Sequence, residues 1–397
     1  MNTGVLRKPA ENYRPDIDGV RAIAILSVIL YHAKVRLLSG GFTGVDIFFV
    51  ISGYLIGGHI FSELRSGTFS FLGFYKRRAK RILPAFYLLI TFAFLAAIVL
   101  LSPFEAYKFA KWATAALLSV SNIGFSLGLP YFGASSEFNP MLMTWSLGVE
   151  EQFYAVIPLL MVLLASKRRR LLLPAILVVC ALSFVFAWGE LSSHPSWVFF
   201  SLPARAWELG VGVALAVAEI SWKDKLLPTR WAQAAGLMGL VFMLVPMCWL
   251  TSATPFPGVA AVPSVLGTAL VIAAPACWTN QRLLALSPLV FVGRVSYSWY
   301  LWHWPLLAFL RITAGGELPP SAVALAIAAS FAAAVLSYYT VEQPFRRSSR
   351  APGPLLFRYA LVSLVFVGVG GRCGRVTAFP SATRRSSSKK KRVFIPA

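Results

Sequence analysis

Charged residues are scarce in this chain. Asp, Glu, Lys and Arg make up 13% of its 397 residues, and only 15 of them are acidic. Soluble domains carry about 25%, so a water-facing surface of ordinary size cannot be built from this composition. Signatures of several enzyme classes are missing as well. No Walker-type phosphate loop, no GxGxxG after a strand, no HExxH and no pair of cysteine doublets occurs, which leaves a nucleotide-driven pump or a zinc protease without support. The four cysteines, Cys180, Cys248, Cys277 and Cys373, show neither disulfide nor metal spacing, and the first three lie in apolar segments where a thiol fills core. The first apolar stretch holds Asp, Arg and His, which do not suit a cleavable leader. No repeat of 20–50 residues recurs.

What is abundant is apolar sequence. Hydrophobic residues account for 57% of the chain, in runs long enough to cross a bilayer. The expected fold class is an all-α integral membrane protein: a bundle of about 11 transmembrane helices with one re-entrant outer segment. Spans are expected near 17–36, 45–62, 83–102, 145–165, 171–188, 198–217, 232–250, 259–277, 289–310, 321–340 and 354–371. The formal net charge is +22. Its Lys and Arg sit in short clusters between apolar runs, a pattern that orients membrane helices and binds headgroups, so the expected partner is the lipid bilayer and not nucleic acid. If residues 109–128 enter and return on one side, the basic clusters at 76–81, 167–170, 223–230 and 346–350 share one face, as the positive-inside rule favours. On that reading 103–144 roofs the site, and the N-terminus is cytosolic. Residues 1–371 form the membrane domain. The last 26 residues, with eight Lys or Arg and no acid, form a basic tail expected to be disordered. A basic tail placed outside contradicts the charge rule.

The first span organises the rest. Arg21 and His32 lie 11 residues apart in DIDGVRAIAILSVILYH, about three helical turns and roughly 16 Å, on nearly the same face. An ionisable residue within a span is a functional candidate because its burial is costly. His32 is either a hydrogen-bonded structural histidine or a reactive imidazole; Arg21 is either a snorkelling side chain or part of the same seam. Asp46, in the Gly-rich turn GGFTGVD, either caps the second span or orients His32 as a carboxylate does in a nucleophile–base–orienter system. Arg78 and Arg81, in FYKRRAKRILP, either anchor topology or grip the phosphates of a cytosolic donor with their guanidinium forks. Glu150 and Glu151, in TWSLGVEEQFY, form an uncommon acidic pair, and Ser146, Glu150 and Tyr154 fall on one helix face. His303, among Trp299, Trp302 and Trp304 in SYSWYLWHWP, is unusual inside an apolar run, and Pro305 is expected to break the helix locally.

These segments, YRPDIDGVRAIAILSVILYHA, GGFTGVDIFFVISGYLI, FYKRRAKRILPAF, TWSLGVEEQFY and SYSWYLWHWP, follow one another in an order that resembles the acyltransferase-3 family. That family comprises bacterial membrane O-acyltransferases acting on surface polysaccharides and related glycans, and the similarity covers about residues 13–347. It implies an acyl-CoA donor, usually acetyl-CoA, used as substrate with no bound cofactor or metal. It also implies an envelope-glycan hydroxyl as acceptor and a place in the bacterial cytoplasmic membrane. The family's Arg-x10-His motif falls on Arg21 and His32, its Arg-x-x-Arg motif on Arg78 and Arg81, its Gly-rich turn on Gly40, Gly41, Gly44 and Asp46, and its acidic block on Glu150 to Tyr154. His32 would be the essential residue, with Arg21, Asp46, Glu150 and Glu151 as further catalytic candidates. Relatives with an eleventh span after VEQPFRR carry an extracytoplasmic SGNH hydrolase-like domain. The present sequence is expected to be truncated or altered relative to that pattern. A flippase for a lipid-linked glycan, or an inactive scaffold, are the competing expectations.

Overall fold

A computed structural model describes residues 13–127, 131–222 and 227–348. Among them the chain is helical throughout, without a strand. The α-helices run α1 (Pro15–His32), α2 (Gly44–Ser66), α3 (Phe71–Leu100), α4 (Pro103–Leu117), α5 (Ser121–Ser126), α6 (Thr144–Arg168), α7 (Leu172–Glu190), α8 (Pro195–Phe200), α9 (Leu202–Trp222), α10 (Thr229–Trp249), α11 (Val262–Ala273), α12 (Ser287–Ala314), α13 (Pro320–Ser337) and α14 (Gln343–Arg347). Each of the first ten expected spans overlaps one of them. The eleventh and the basic tail lie outside the described residues.

Among the described residues, seven helices are long and apolar enough to cross a membrane: α2, α3, α6, α7, α9, α10 and α13, some with short extensions. The 23 residues of α2 rise about 35 Å, more than the roughly 30 Å of a hydrocarbon core. Burial sorts the seven into layers. The apolar windows of α2 and α9 are 67% and 72% buried, whereas those of α7 and α13 are 28% buried, leaving outward faces of Leu, Val and Phe suited to lipid. The central pair meets through small residues. A Cβ on Gly53 would stand 1.9 Å from the Leu209 carbonyl oxygen, and one on Gly212 would stand 2.1 Å from that of Val50. Only glycine permits this approach of two backbones, the usual device where no hydrophobic force drives helices together.

Three of the ten helices that match expected spans fall outside the seven. α11 has only 12 residues. α1 carries Asp16, Asp18 and Arg21, and α12 carries Arg294, His303 and Arg311. These polar helices pack on each other inside the bundle, with Gly293 set against the Asp18 carbonyl oxygen. α12 runs unbroken through Pro305, contrary to the expected local break. Cys180 and Cys277 are buried as expected, whereas Cys248 lies on an exposed face.

The bundle has two chemically distinct ends. Arg21 marks one end of α1 and His32 the other. α3 climbs from the Arg end, where Tyr297 donates to the Ile82 carbonyl at 2.9 Å, towards the His end, where Phe92 meets Trp302. α6 descends from Ser146, bonded to Tyr300, to Tyr154 and Ala155, whose carbonyls accept from Tyr75 beside the 76–81 cluster. The stretch between α3 and α6 therefore leaves and rejoins the same end. Lys80 donates to the Ser348 carbonyl at 2.9 Å, so the basic runs at 76–81 and 346–348 share the Arg end.

Candidate active site

Two cavities approach each other within the bundle. The first opens among Arg21, Arg78 and Arg81 and is walled by Glu150, Tyr154 and Ser52; it extends up to Ser146 and Tyr300. Helical spacing produces this wall. Ser146, Glu150 and Tyr154 follow at four-residue steps on α6, and all three line the cavity as the sequence suggests. Glu150 accepts from Ser52 Oγ at 2.8 Å and from the Tyr154 hydroxyl at 3.0 Å. Arg21 donates to Asp18 and to Ser296, each at 3.0 Å. Arg78 keeps a buried Nε with no hydrogen-bond partner among the described residues. Three guanidiniums facing one cavity need anions, and forked guanidiniums match phosphate oxygens. Glu150 thus stands with the arginines and does not line the His32 cavity. Glu151 does not line the cavity but lies within electrostatic reach of Arg78.

The second cavity is lined by His32, Tyr31, Tyr131, Glu137, Trp304 and Arg311, among others. One wall carries His32, which is joined edge to edge to the buried His303 behind it. His32 Nδ1 lies 3.0 Å from His303 Nε2, and the rings are 15° apart with centroids at 5.2 Å. Their proton positions follow from what the neighbours can accept. His303 Nδ1 points at the Tyr300 carbonyl at 2.7 Å and the Trp299 carbonyl at 3.2 Å. A carbonyl oxygen only accepts, so Nδ1 carries the proton. In the neutral pair His303 Nε2 is then a lone pair, and His32 Nδ1 donates to it. His32 Nε2 is left as the free lone pair, facing the Tyr131 hydroxyl at 3.4 Å. This is the arrangement of a general base with its orienting group behind it.

Tyr300 separates the two cavities. It lines the first, its hydroxyl donates to the Met143 carbonyl at 3.0 Å and meets Ser146 Oγ at 2.8 Å, and its own carbonyl accepts the hydrogen bond from His303 Nδ1–H. The first cavity therefore ends one helical turn beneath the histidine pair.

Asp46 does not serve His32, which corrects the sequence reading. Its carboxylate engages Arg205 of α9, and Arg205 Nε lies 2.9 Å from Glu208 Oε1. All three residues are at most 1% exposed, and Phe49, Trp145, Phe199 and Phe256 surround the guanidinium at 5.3–5.6 Å. Arg205 and Glu208 were not singled out from the sequence, although two ionisable residues three apart in an apolar run are a readable signal. The sequence marks His303 as unusual but gives it no role, because its partner lies 271 residues away. Among the described residues no cluster of His, Cys, Asp and Glu could hold a metal ion.

Comparisons with known proteins give the family. The family described as acyltransferase domain, type 3, matches residues 14–339. YrhL of Bacillus subtilis, named a candidate peptidoglycan O-acetyltransferase, is 31% identical over 352 residues, covering 84% of this chain and 55% of its own length. The O-acetyltransferase OatA of Staphylococcus aureus is 30% identical over 355 residues, covering 84% of this chain and 57% of its own. The chain thus spans little more than half the length of these relatives. No solved structure gives a significant match. The cavities, the Arg and His motifs and the family match converge: the chain is a multi-pass membrane protein and a member of the acyltransferase-3 family.

Proposed function

We propose that the protein transfers an acyl group, most simply acetyl, from acyl-CoA to a hydroxyl of a cell-envelope glycan. The observation that carries this reading is the end-to-end arrangement of the two cavities, arginines at one extremity and the His32–His303 pair beyond the Tyr300 partition. Arg78 and Arg81, with Arg21, would hold the CoA phosphates. The pantetheine arm would run along the Ser52–Glu150–Tyr154 wall and bring the thioester to Tyr300. The acceptor would enter from the His32 side, its hydroxyl taking the place that the Tyr131 hydroxyl holds against His32 Nε2. As that oxygen attacks the thioester carbonyl carbon, His32 Nε2 takes its proton. The carbon–sulfur bond breaks, the ester carbon–oxygen bond forms, and the CoA sulfur leaves with the proton from His32 as a free thiol. The relatives' names support an O-linked product.

The same reading puts the Arg end in the cytosol of a bacterial cell and the N-terminus with it, since the basic clusters gather there. The stretch from α4 to α6 would be the re-entrant roof. With α1, α11, α12 and the apolar run at 354–371 added to the seven long helices, the count reaches eleven.

The test is labelling of envelope glycan from radiolabelled acetyl-CoA in membranes containing wild-type protein or His32→Ala at matched levels. Ester-linked label with wild type and none with His32→Ala is the expected result. Glycan export without acetyl-CoA consumption would indicate a flippase, and neither activity would indicate a scaffold.

A further inference from the structure

The His32 cavity holds more positive charge than transfer to a neutral alcohol requires. Lys34, Arg36 and Arg311 line it, against a single acid, Glu137. That acid is already shared: Glu137 Oε2 lies 3.3 Å from Lys34 Nζ and 3.5 Å from Arg311 Nε. A second acid on Lys34, Glu317 at 3.3 Å, is 89% exposed and does not line the cavity. Lys34 and Arg36 are exposed at the rim. Arg311 differs from them, being only 4% exposed.

The donors of Arg311 are incompletely used. Nη2 donates to the backbone carbonyl of His32 itself at 2.9 Å. Nη1 is buried and has no hydrogen-bond partner among the described residues. A guanidinium stays charged at any physiological pH, so a buried N–H on it cannot be relieved by losing a proton; it needs an oxygen. Trp304 ties this site to the base, its ring 4.5 Å from the His32 ring and 5.5 Å beneath the Arg311 guanidinium carbon.

We infer that this cavity selects an acceptor bearing an anionic group, a carboxylate or a phosphate, near the hydroxyl to be acylated, and that Arg311 receives that group. The inference rests on the cavity being the acceptor side. An oxyanion would supply the acceptor that Nη1 lacks, and the fork geometry of Arg suits both chemistries. Lys34 and Arg36 would draw the anion to the rim, and Glu137 would tune the field by holding two of the three cations. A binding site built around a buried, unsatisfied donor discriminates strongly against a ligand that cannot fill it.

The experiment uses the full chain in lipid nanodiscs with acetyl-CoA and three matched oligosaccharides: one containing uronic acid, its carboxyl-reduced counterpart, and a phosphorylated neutral one. Wild type is expected to favour one or both anionic sugars over the reduced one by at least tenfold in kcat/KM, and the two anionic arms tell carboxylate from phosphate. Arg311→Gln should bring that ratio towards one, chiefly through KM for the anionic sugar; Arg311→Lys should fall between. Glu137→Gln should raise the ratio, which keeps the inference open to test if Arg311 variants fold poorly. The ratio is internal to each preparation, so a merely structural Arg311 would lower all three sugars alike. That result, or equal use of acidic and reduced sugars by wild type, overturns the inference. Acetyl-CoA hydrolysis without transfer to any of the three would reject the acceptor-side reading, and the inference with it. Transfer to the reduced sugar alone would leave that reading standing while rejecting the inference.

Discussion

His303 Nε2 stands 3.0 Å behind His32 Nδ1, with its own Nδ1 fixed on the carbonyl of Tyr300. One imidazole thereby dictates the tautomer of another. A carboxylate in that position would add a buried negative charge at the heart of a membrane bundle, whereas a neutral imidazole orients the base without it.

The first prediction concerns that pair. His303→Ala should lower kcat by about 100-fold or more, the scale of a lost general base, because His32 then has no group to fix which nitrogen bears the proton. His303→Gln, whose amide oxygen can accept from His32 Nδ1, should recover part of the loss. Steady-state transfer rates normalised to folded protein decide this. An alanine variant turning over like wild type would remove His303 from the mechanism.

A second prediction concerns the arginines. If Arg78 and Arg81 grip phosphates, wild type should prefer acetyl-CoA to acetyl-pantetheine, which lacks the nucleotide. The double variant Arg78→Ala, Arg81→Ala should erase the preference by raising KM for acetyl-CoA, leaving acetyl-pantetheine use little changed. Equal losses on both donors would mean that the pair serves structure alone.

Much of this arrangement is legible in the sequence, and the boundary is physical. Hydropathy located ten helices because a bilayer-length apolar run is a local property. The 11-residue step from Arg21 to His32 put the two at opposite ends of one helix, and the four-residue steps through Ser146, Glu150 and Tyr154 gave a shared wall; both are also local. Partnerships between helices are not. Asp46 meets Arg205 across 159 residues and His32 meets His303 across 271, and nothing near either residue announces its counterpart. The sequence therefore offers Asp46 only as a helix cap or as a partner for His32, while the cation that holds it lies in α9.

The partition between the cavities gives a third prediction. Tyr300 fills the space beneath His303 and is held there by Met143 and Ser146. Tyr300→Ala should open a water path to the thioester and raise acetyl-CoA hydrolysis in the absence of acceptor, while the fraction of acetyl delivered to glycan falls. Tyr300→Phe keeps the ring and should show little such uncoupling. Release of free thiol, followed with and without acceptor, measures both. An alanine variant with unchanged coupling would show that the wall lies elsewhere.

The last prediction separates structure from chemistry at Asp46. Arg205 is 1% exposed and Asp46 0%, so Asp46→Asn strips a buried guanidinium of one of its two carboxylates, Glu208 remaining 2.9 Å from its Nε. Leaving a buried charge wholly unpaired costs about 3–5 kcal/mol, and the remaining Glu208 holds the loss below that. The midpoint of thermal unfolding in detergent should fall by several degrees or more, with turnover per folded molecule preserved within a few-fold. His32→Ala should behave in the opposite way, with turnover gone and the midpoint close to wild type, because His32 is partly open to its cavity and its loss strands no charge. Running the two variants side by side distinguishes the roles directly. If Asp46→Asn kept its midpoint and lost turnover, the carboxylate would belong to the chemistry after all, acting through Arg205 and the Trp145 and Phe199 rings that contact both Arg205 and Tyr131.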